Sequence, residues 1–164
     1  MLKKLFKKNK RKMEIYAPIN GQIVSIEDVP DPVFSEKMMG EGIAIIPNEG
    51  KVHAPVDGEI VQIPQTKHAV GIRAKDGSEI LIHIGLETVS LDGEGFSVSV
   101  NVGDTVSVGE PLVQFDLDYV REHAKDIITP IVITNSAEMD KQYVMTEETE
   151  SKIGETVLIT ADRK

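Results

Sequence analysis

One ten-residue phrase occurs twice in this 164-residue chain: A-P-I-N-G-Q-I-V-S-I from Ala17 and A-P-V-D-G-E-I-V-Q-I from Ala54. Proline opens each copy. Asn20-Gly21 and Asp57-Gly58 favour the positive φ of a tight turn, and a short run rich in Ile and Val follows each pair. A glycine-led strand comes later in each half, Gly42 to Ile46 in the first and Gly71 to Ala74 in the second. One such β unit cannot bury both its faces, so the repeat predicts a duplicated β unit whose copies pack together.

Hydrophobic residues make up 40% of the chain but aromatic residues only 4%, so Val and Ile must do most of the packing. With 13 Gly and 8 Pro, this suits many short strands joined by tight turns. The expected fold is all-β, an antiparallel sandwich or flattened barrel over residues 13–164 with at most one or two short helices. One helix is expected at Tyr119 to Lys125, capped by Asp118, ahead of a strand at Ile131 to Thr134. Residues 138–151 read as loop, and Glu155 to Thr160 as a last strand. From Val100, V-N-V-G-D-T-V-S-V-G-E-P-L-V-Q-F alternates with period two and gives two short strands. Its G-D-x-V-x-x-G-x-x-L pattern resembles biotinyl and lipoyl carrier domains, but Lys67 lacks the tight flanking turn that a modified lysine needs.

The chain has no cysteine, which excludes disulfides, thiolate metal sites and a cysteine nucleophile. No apolar run approaches the ~20 residues that span a bilayer, and the amino terminus lacks the pattern of a secretory signal, so the expected location is cytoplasmic. The net charge of −9 conceals a basic flexible tail, residues 1–12, with seven Lys or Arg. The acidic remainder disfavours nucleic acid and favours a docking partner with a basic surface. In the tail, Leu2, Leu5 and Phe6 stand at helical spacing beside the lysines. Two readings stay open for it: a solvated extension, or peripheral contact with an anionic membrane at ~1 kcal/mol per basic residue.

Between Val29 and Gly40, Pro30-Asp31-Pro32 forbids a central strand, because neither proline can donate to a ladder. The loop holds Val33, Phe34, Met38 and Met39, which either pack inward or face a partner.

The chemistry centres on G-S-E-I-L-I-H-I-G-L-E-T-V, Gly77 to Val89, where a histidine interrupts an apolar strand. Ile80, Ile82 and Ile84 share one face, so Leu81, His83 and Gly85 occupy the other. Asp76-Gly77 predicts a two-residue hairpin that sets Ile72 opposite Leu81 and Val70 opposite His83. His68 then lies diagonal to His83 on one face, roughly 7–8 Å away at Cα. A three-residue loop would shift this pairing by one. A neutral imidazole presents one unprotonated nitrogen that can attack phosphorus, and its other nitrogen should donate to a backbone carbonyl, with Gly85 the candidate. His53, in a turn, and His123, in the helix, read as structural.

That stretch resembles the active-site signature of glucose-class enzyme IIA of the bacterial phosphoenolpyruvate-dependent sugar phosphotransferase system. Similarity extends through I-E-D-V-P-D-P-V-F (Ile26 to Phe34), K-M-M-G-E-G-I-A-I (Lys37 to Ile45), T-K-H-A (Thr66 to Ala69) and L-D-G-E-G-F (Leu91 to Phe96). The resemblance implies a phosphotransferase component that accepts a phosphoryl group from phospho-HPr and passes it to a cysteine of a sugar-permease IIB domain during sugar uptake. It implies His83 as the phosphorylated residue through Nε2, His68 as a contact of the phosphoryl group, and Thr66 in the adjoining hydrogen-bond network. Asp31, Val33, Phe34, Met39, Glu87 and Val89 become the partner-binding residues, with Glu87 where the family often has aspartate. No cofactor is required, but the family's histidine pair can bind zinc with a docked partner's carboxylate and water, making His68 and His83 conditional ligands. An alternative is a regulatory binding module that controls transporters or metabolic enzymes according to its phosphorylation state.

Overall fold

The computed structural model describes residues 12–163, so the reading of the tail lies outside them except at Lys12. In chain order the elements are β1 (Met13–Tyr16), β2 (Gly21–Ser25), α1 (Pro32–Ser35), β3 (Glu41–Pro47), β4 (Lys51–His53), β5 (Gly58–Gln62), β6 (Ala69–Ala74) and β7 (Glu79–His83). There follow β8 (Phe96–Val98), β9 (Thr105–Val106), β10 (Pro111–Phe115), α2 (Leu117–His123), β11 (Thr129–Ile133), β12 (Lys141–Met145), β13 (Glu150–Ser151) and β14 (Val157–Arg163). Every pairing is antiparallel. The chain is thus all-β with two short α-helices.

Its duplication is visible in the strand order. An eight-stranded sheet runs β13-β2-β3-β11-β7-β6-β5-β9, flanked by three-stranded sheets β1-β14-β12 and β4-β10-β8. Read from either end, this order is the same under a two-fold exchange. One unit is β4 to β10, continuous in sequence, and it is inserted between β3 and β11 of the other. Equivalent bonds recur in both: Tyr16 N–H donates to Pro55 O at 2.9 Å and His53 N–H to Pro18 O at 2.8 Å. Asn20 Oδ1 accepts from Ile153 N–H at 2.7 Å, as Asp57 Oδ1 does from Val108 N–H at 2.9 Å. Each repeat therefore pins, through its own polar side chain, the connection that leads into a distant strand, β14 in one unit and β10 in the other.

Gly21 and Gly58 have a different reason from the expected one. Neither has positive φ. A Cβ at Gly21 would collide with the carbonyl oxygen of Ile46, and one at Gly58 with that of Arg73, so glycine here permits close backbone approach.

Three further expectations are corrected. Residues 138–151 contain β12 and β13; Lys-Gln-Tyr-Val-Met pairs along β14 at a sheet edge, where backbone bonding makes a strand without a continuous apolar face. Helix α2 begins and ends two residues earlier than expected, and its cap is Asp116, which accepts from Tyr119 N–H at 3.1 Å, while Asp118 pairs with Arg121 at 2.9 Å. The β6–β7 loop has three residues, Lys75-Asp76-Gly77, because Ala74 N–H donates to Ser78 O at 2.8 Å and Gly77 takes φ 93°. Asp76 Oδ1, accepting from Ser78 N–H at 2.9 Å, favours that longer turn. Ala69, not Val70, therefore lies opposite His83, and Ile72 opposite Ile80.

Isoleucine dominates the interior. Ile80, Ile82 and Ile84 point inward with Ile45, Val70, Ile72, Ile131 and Ile133, all nearly or wholly buried. The opposite face of the large sheet carries a second cluster, in which Ile26, just before the Pro-rich loop, and Val29 and Phe34 of that loop cover Ala44, Leu86, Ile128 and Val132. That loop divides its apolar residues: Phe34 packs inward at 4% exposure, whereas Val33 and Met38 are exposed. Among the described residues, no helix is long and apolar enough to cross a membrane.

Candidate functional site

His83 closes β7 and, by alternation with Ile82 and Ile84, faces the second cluster and not the isoleucine core. Beyond it the chain turns sharply. Gly85 has φ 71°, and a Cβ there would come within 2.8 Å of Thr88 Cγ2 and 2.9 Å of Asp126 O. Buried Thr88 donates to Ile84 O at 2.7 Å, Gly85 N–H donates to Thr129 Oγ1 at 3.3 Å, and Leu86 N–H donates to Asp126 O at 2.9 Å. This turn aims Gly85 O back at the imidazole, which donates to it through Nδ1 at 2.8 Å. A carbonyl can only accept, so Nδ1 carries the proton and the neutral ring presents Nε2 as its lone pair.

His68 reaches the same place by an unexpected route. Ile84 N–H donates to His68 O at 2.7 Å, which puts His68 opposite Ile84 in the ladder. Simple alternation from that register would send its side chain to the core face. Yet the rings of His68 and His83 lie 4.9 Å apart, edge to face at 79°. The reason is local: His68 precedes the first residue of β6, and Lys67 takes φ 59°, so the backbone has not yet entered the pleat. Thr66 Oγ1 then lies 2.7 Å from His68 Nδ1. With the Thr66 hydroxyl donating to Nδ1, the neutral ring keeps Nε2–H as a donor.

Burial and, after it, the neighbouring His83 together push the His68 imidazole down to about 4. Burial also lowers the pKa of His83, opposed by its bond to Gly85 and by the charge of Asp31. Both rings are thus neutral near pH 7. Phe34 forms the third side, its ring 5.2 Å from that of His83.

Of the remaining expected site residues, Asp31 caps α1 by accepting from Val33 N–H at 3.0 Å. Val33 and Val89 are exposed, at 39% and 57%, and Met39 packs against the second cluster. Glu87 is exposed at φ 58° in the turn after Gly85. His53 Nδ1 bonds Gly109 O at 2.8 Å, and His123 stacks on Tyr119 with centroids 4.2 Å apart. The sequence reading missed Thr88 and Thr129, both fully buried, and Lys125, whose Nζ donates to Pro30 O at 2.9 Å. A threonine opening the apolar run T-P-I-V-I was the available signal for Thr129; nothing local marked Lys125.

Comparison with known proteins follows from this geometry. The family model of the phosphoenolpyruvate-dependent sugar phosphotransferase system, EIIA 1, matches residues 13–139. The PTS system glucose-specific EIIA component of Halalkalibacterium halodurans is 53% identical over 171 residues, covering 98% of this chain and 97% of that one. Its counterpart in Staphylococcus epidermidis is 50% identical over 163 residues, covering 97% of each. The solved structure of glucose permease IIA from Mycoplasma capricolum matches with a TM-score of 0.83 at 39% identity, over 91% of this chain and 95% of that one.

The depressed pKa of His68 has a consequence for stability. Above pH 6.5 the imidazole is neutral in both folded and unfolded chains; between 6.5 and about 4 only the unfolded chain takes up the proton. Stability should therefore fall as pH falls through that window, by up to about 3 kcal/mol from this residue. Urea unfolding across that range should show a smaller acid loss for His68→Gln than for the wild type. Equal losses would mean that burial of a neutral His68 does not govern the acid response.

Proposed function

The chain belongs to the EIIA 1 family of the phosphoenolpyruvate-dependent sugar phosphotransferase system, and from that premise we propose that His83 is the residue that carries its phosphoryl group. It is a phosphotransferase component, a phosphocarrier in sugar uptake, and components of this family work with HPr and IIB domains. The observation that carries the residue assignment is the bond from His83 Nδ1–H to Gly85 O, which leaves Nε2 unprotonated beside His68.

The Nε2 lone pair attacks phosphorus of phospho-HPr. A new N–P bond forms as the donor's N–P bond breaks, and that electron pair returns to the donor's imidazole. His68, its tautomer set by Thr66, donates Nε2–H to an equatorial phosphoryl oxygen as charge develops there. A thiolate of the IIB domain then attacks phosphorus; the S–P bond forms, the N–P bond breaks, and neutral His83 is restored. No covalent machinery beyond one nucleophile is required, so positioning carries the rate. The lowered pKa of His83 keeps the nucleophile unprotonated at neutral pH.

Partners would dock on exposed Val33 and Val89, with Met39 beneath and with Asp31 and Glu87 as an acidic border. Buried Phe34 would serve as a wall for His83 more than as a contact. The glucose-specific names of the relatives support a glucose permease as the acceptor. Zinc, where it binds, would take Nε2 of His68 and His83 and two ligands from a docked partner and water. His83 Nδ1 already donates to Gly85 O, whereas His68 would have to take the other tautomer, its Nδ1–H donating to Thr66 Oγ1, to free Nε2 for a metal; among the described residues no third ligand joins them. A regulatory role toward transporters or metabolic enzymes in the cytoplasm would use the same face. The basic residues 1–12 would touch anionic membrane; co-sedimentation with phosphatidylglycerol vesicles at low salt should disappear when they are removed, and no binding by the full chain at low salt would end that idea.

Incubation with phosphoenolpyruvate, enzyme I and HPr should add one acid-labile phosphate, read by intact mass. His83→Gln should abolish it. His68→Gln should still accept phosphate but pass it on roughly 10- to 100-fold more slowly, having lost a transition-state donor. Equal phosphorylation of the two variants would mean that the nucleophile is wrongly assigned.

A further inference from the structure

Lys125 follows helix α2 and touches both walls of the site. Its backbone N–H donates to Leu86 O at 3.2 Å, and the next residue's carbonyl, Asp126 O, accepts from Leu86 N–H at 2.9 Å. Those bonds hold the turn that carries Gly85. Its side chain reaches the other way, Nζ donating to Pro30 O at 2.9 Å across 95 residues of sequence. Pro30 immediately precedes Asp31, the cap of α1, and α1 places Phe34 against His83.

Two facts distinguish this from an incidental surface contact. Pro30 and Pro32 lack N–H groups, so their segment cannot be fastened by a strand ladder; the carbonyls of Val29, Asp31 and Pro32 accept from N–H groups of the loop itself, and that of Pro30 accepts from Lys125. Lys125 also forms no ion pair among the described residues: in a chain of net charge −9 its ammonium is directed to a carbonyl instead of a carboxylate. One residue thereby fixes the spacing between the turn after His83 and the loop bearing Asp31, Val33 and Phe34.

We propose that Lys125 is a positioning residue that latches the Pro30–Phe34 wall to the turn after His83 and so holds the docking face in its partner-ready form. Its effect on transfer rests on the phosphocarrier reading above; its effect on the loop does not. Substitution by methionine keeps the stem and removes the donor, whereas arginine can still reach the carbonyl.

The test compares full-length wild type, Lys125→Met and Lys125→Arg. In Lys125→Met, hydrogen exchange should quicken several-fold across residues 31–36 and stay unchanged in β7 and β11. The KM for phospho-HPr should rise about three- to ten-fold, the scale of one net hydrogen bond at an exposed site, with kcat within about two-fold. Lys125→Arg should restore both. Unchanged exchange in Lys125→Met would overturn the latch whatever the kinetics; faster exchange with an unaltered KM would overturn its role in docking. A wild-type chain that takes up no phosphate would instead remove the phosphocarrier reading, leaving the exchange result to decide the latch.

Discussion

The bond between His83 Nδ1–H and Gly85 O decides what the site can do. It fixes the tautomer and leaves Nε2 as the unprotonated nitrogen, the atom we propose attacks phosphorus. It exists only because Gly85 adopts φ 71° in a space that a Cβ would fill, between Thr88 and Asp126 O. Thr88, Thr129 and the Leu86–Asp126 bridge hold that turn from beneath. A side chain that looks like a lone polar interruption of a strand is thus supported by a buried polar framework with its bonds made, as buried hydroxyls require.

The duplication explains why such a turn can be rigid while carrying so little helix. Ile82 and Ile131 pair at the centre of the large sheet and occupy equivalent places in the two units, so the two-fold runs between them. By the same register, Val132 stands where the second unit has His83. The scaffold is therefore built twice and the chemistry once. Val132 instead lies under the second apolar cluster, which the Pro-rich loop covers and through which that loop brings Phe34 to His83.

Much of this was legible in the sequence. The repeat from Ala17 and Ala54 disclosed the doubled unit, alternation about Ile80, Ile82 and Ile84 put His83 on the outer face, and the position of Gly85 suggested the orienting carbonyl. What misled was short-range turn chemistry. Asp76-Gly77 suits a two-residue loop, but the Asp76 carboxylate captures Ser78 N–H and the loop gains a residue. The histidines still meet, because Lys67 at φ 59° turns His68 out of the alternation that would have carried it away. Two departures from ideal strand geometry offset each other, and neither leaves a mark in hydrophobic periodicity. Edge strand β12 was hidden for a related reason: its pairing partner β14 supplies the backbone bonds, so its sequence need not alternate.

The central claim concerns one nitrogen atom, and nuclear magnetic resonance on imidazole-labelled, phosphorylated protein addresses it directly. The ¹⁵N–³¹P coupling should appear at Nε2 of His83, with Nδ1 still protonated and protected from solvent exchange by Gly85 O. Coupling at Nδ1 of His83, or at either nitrogen of His68, would contradict the account.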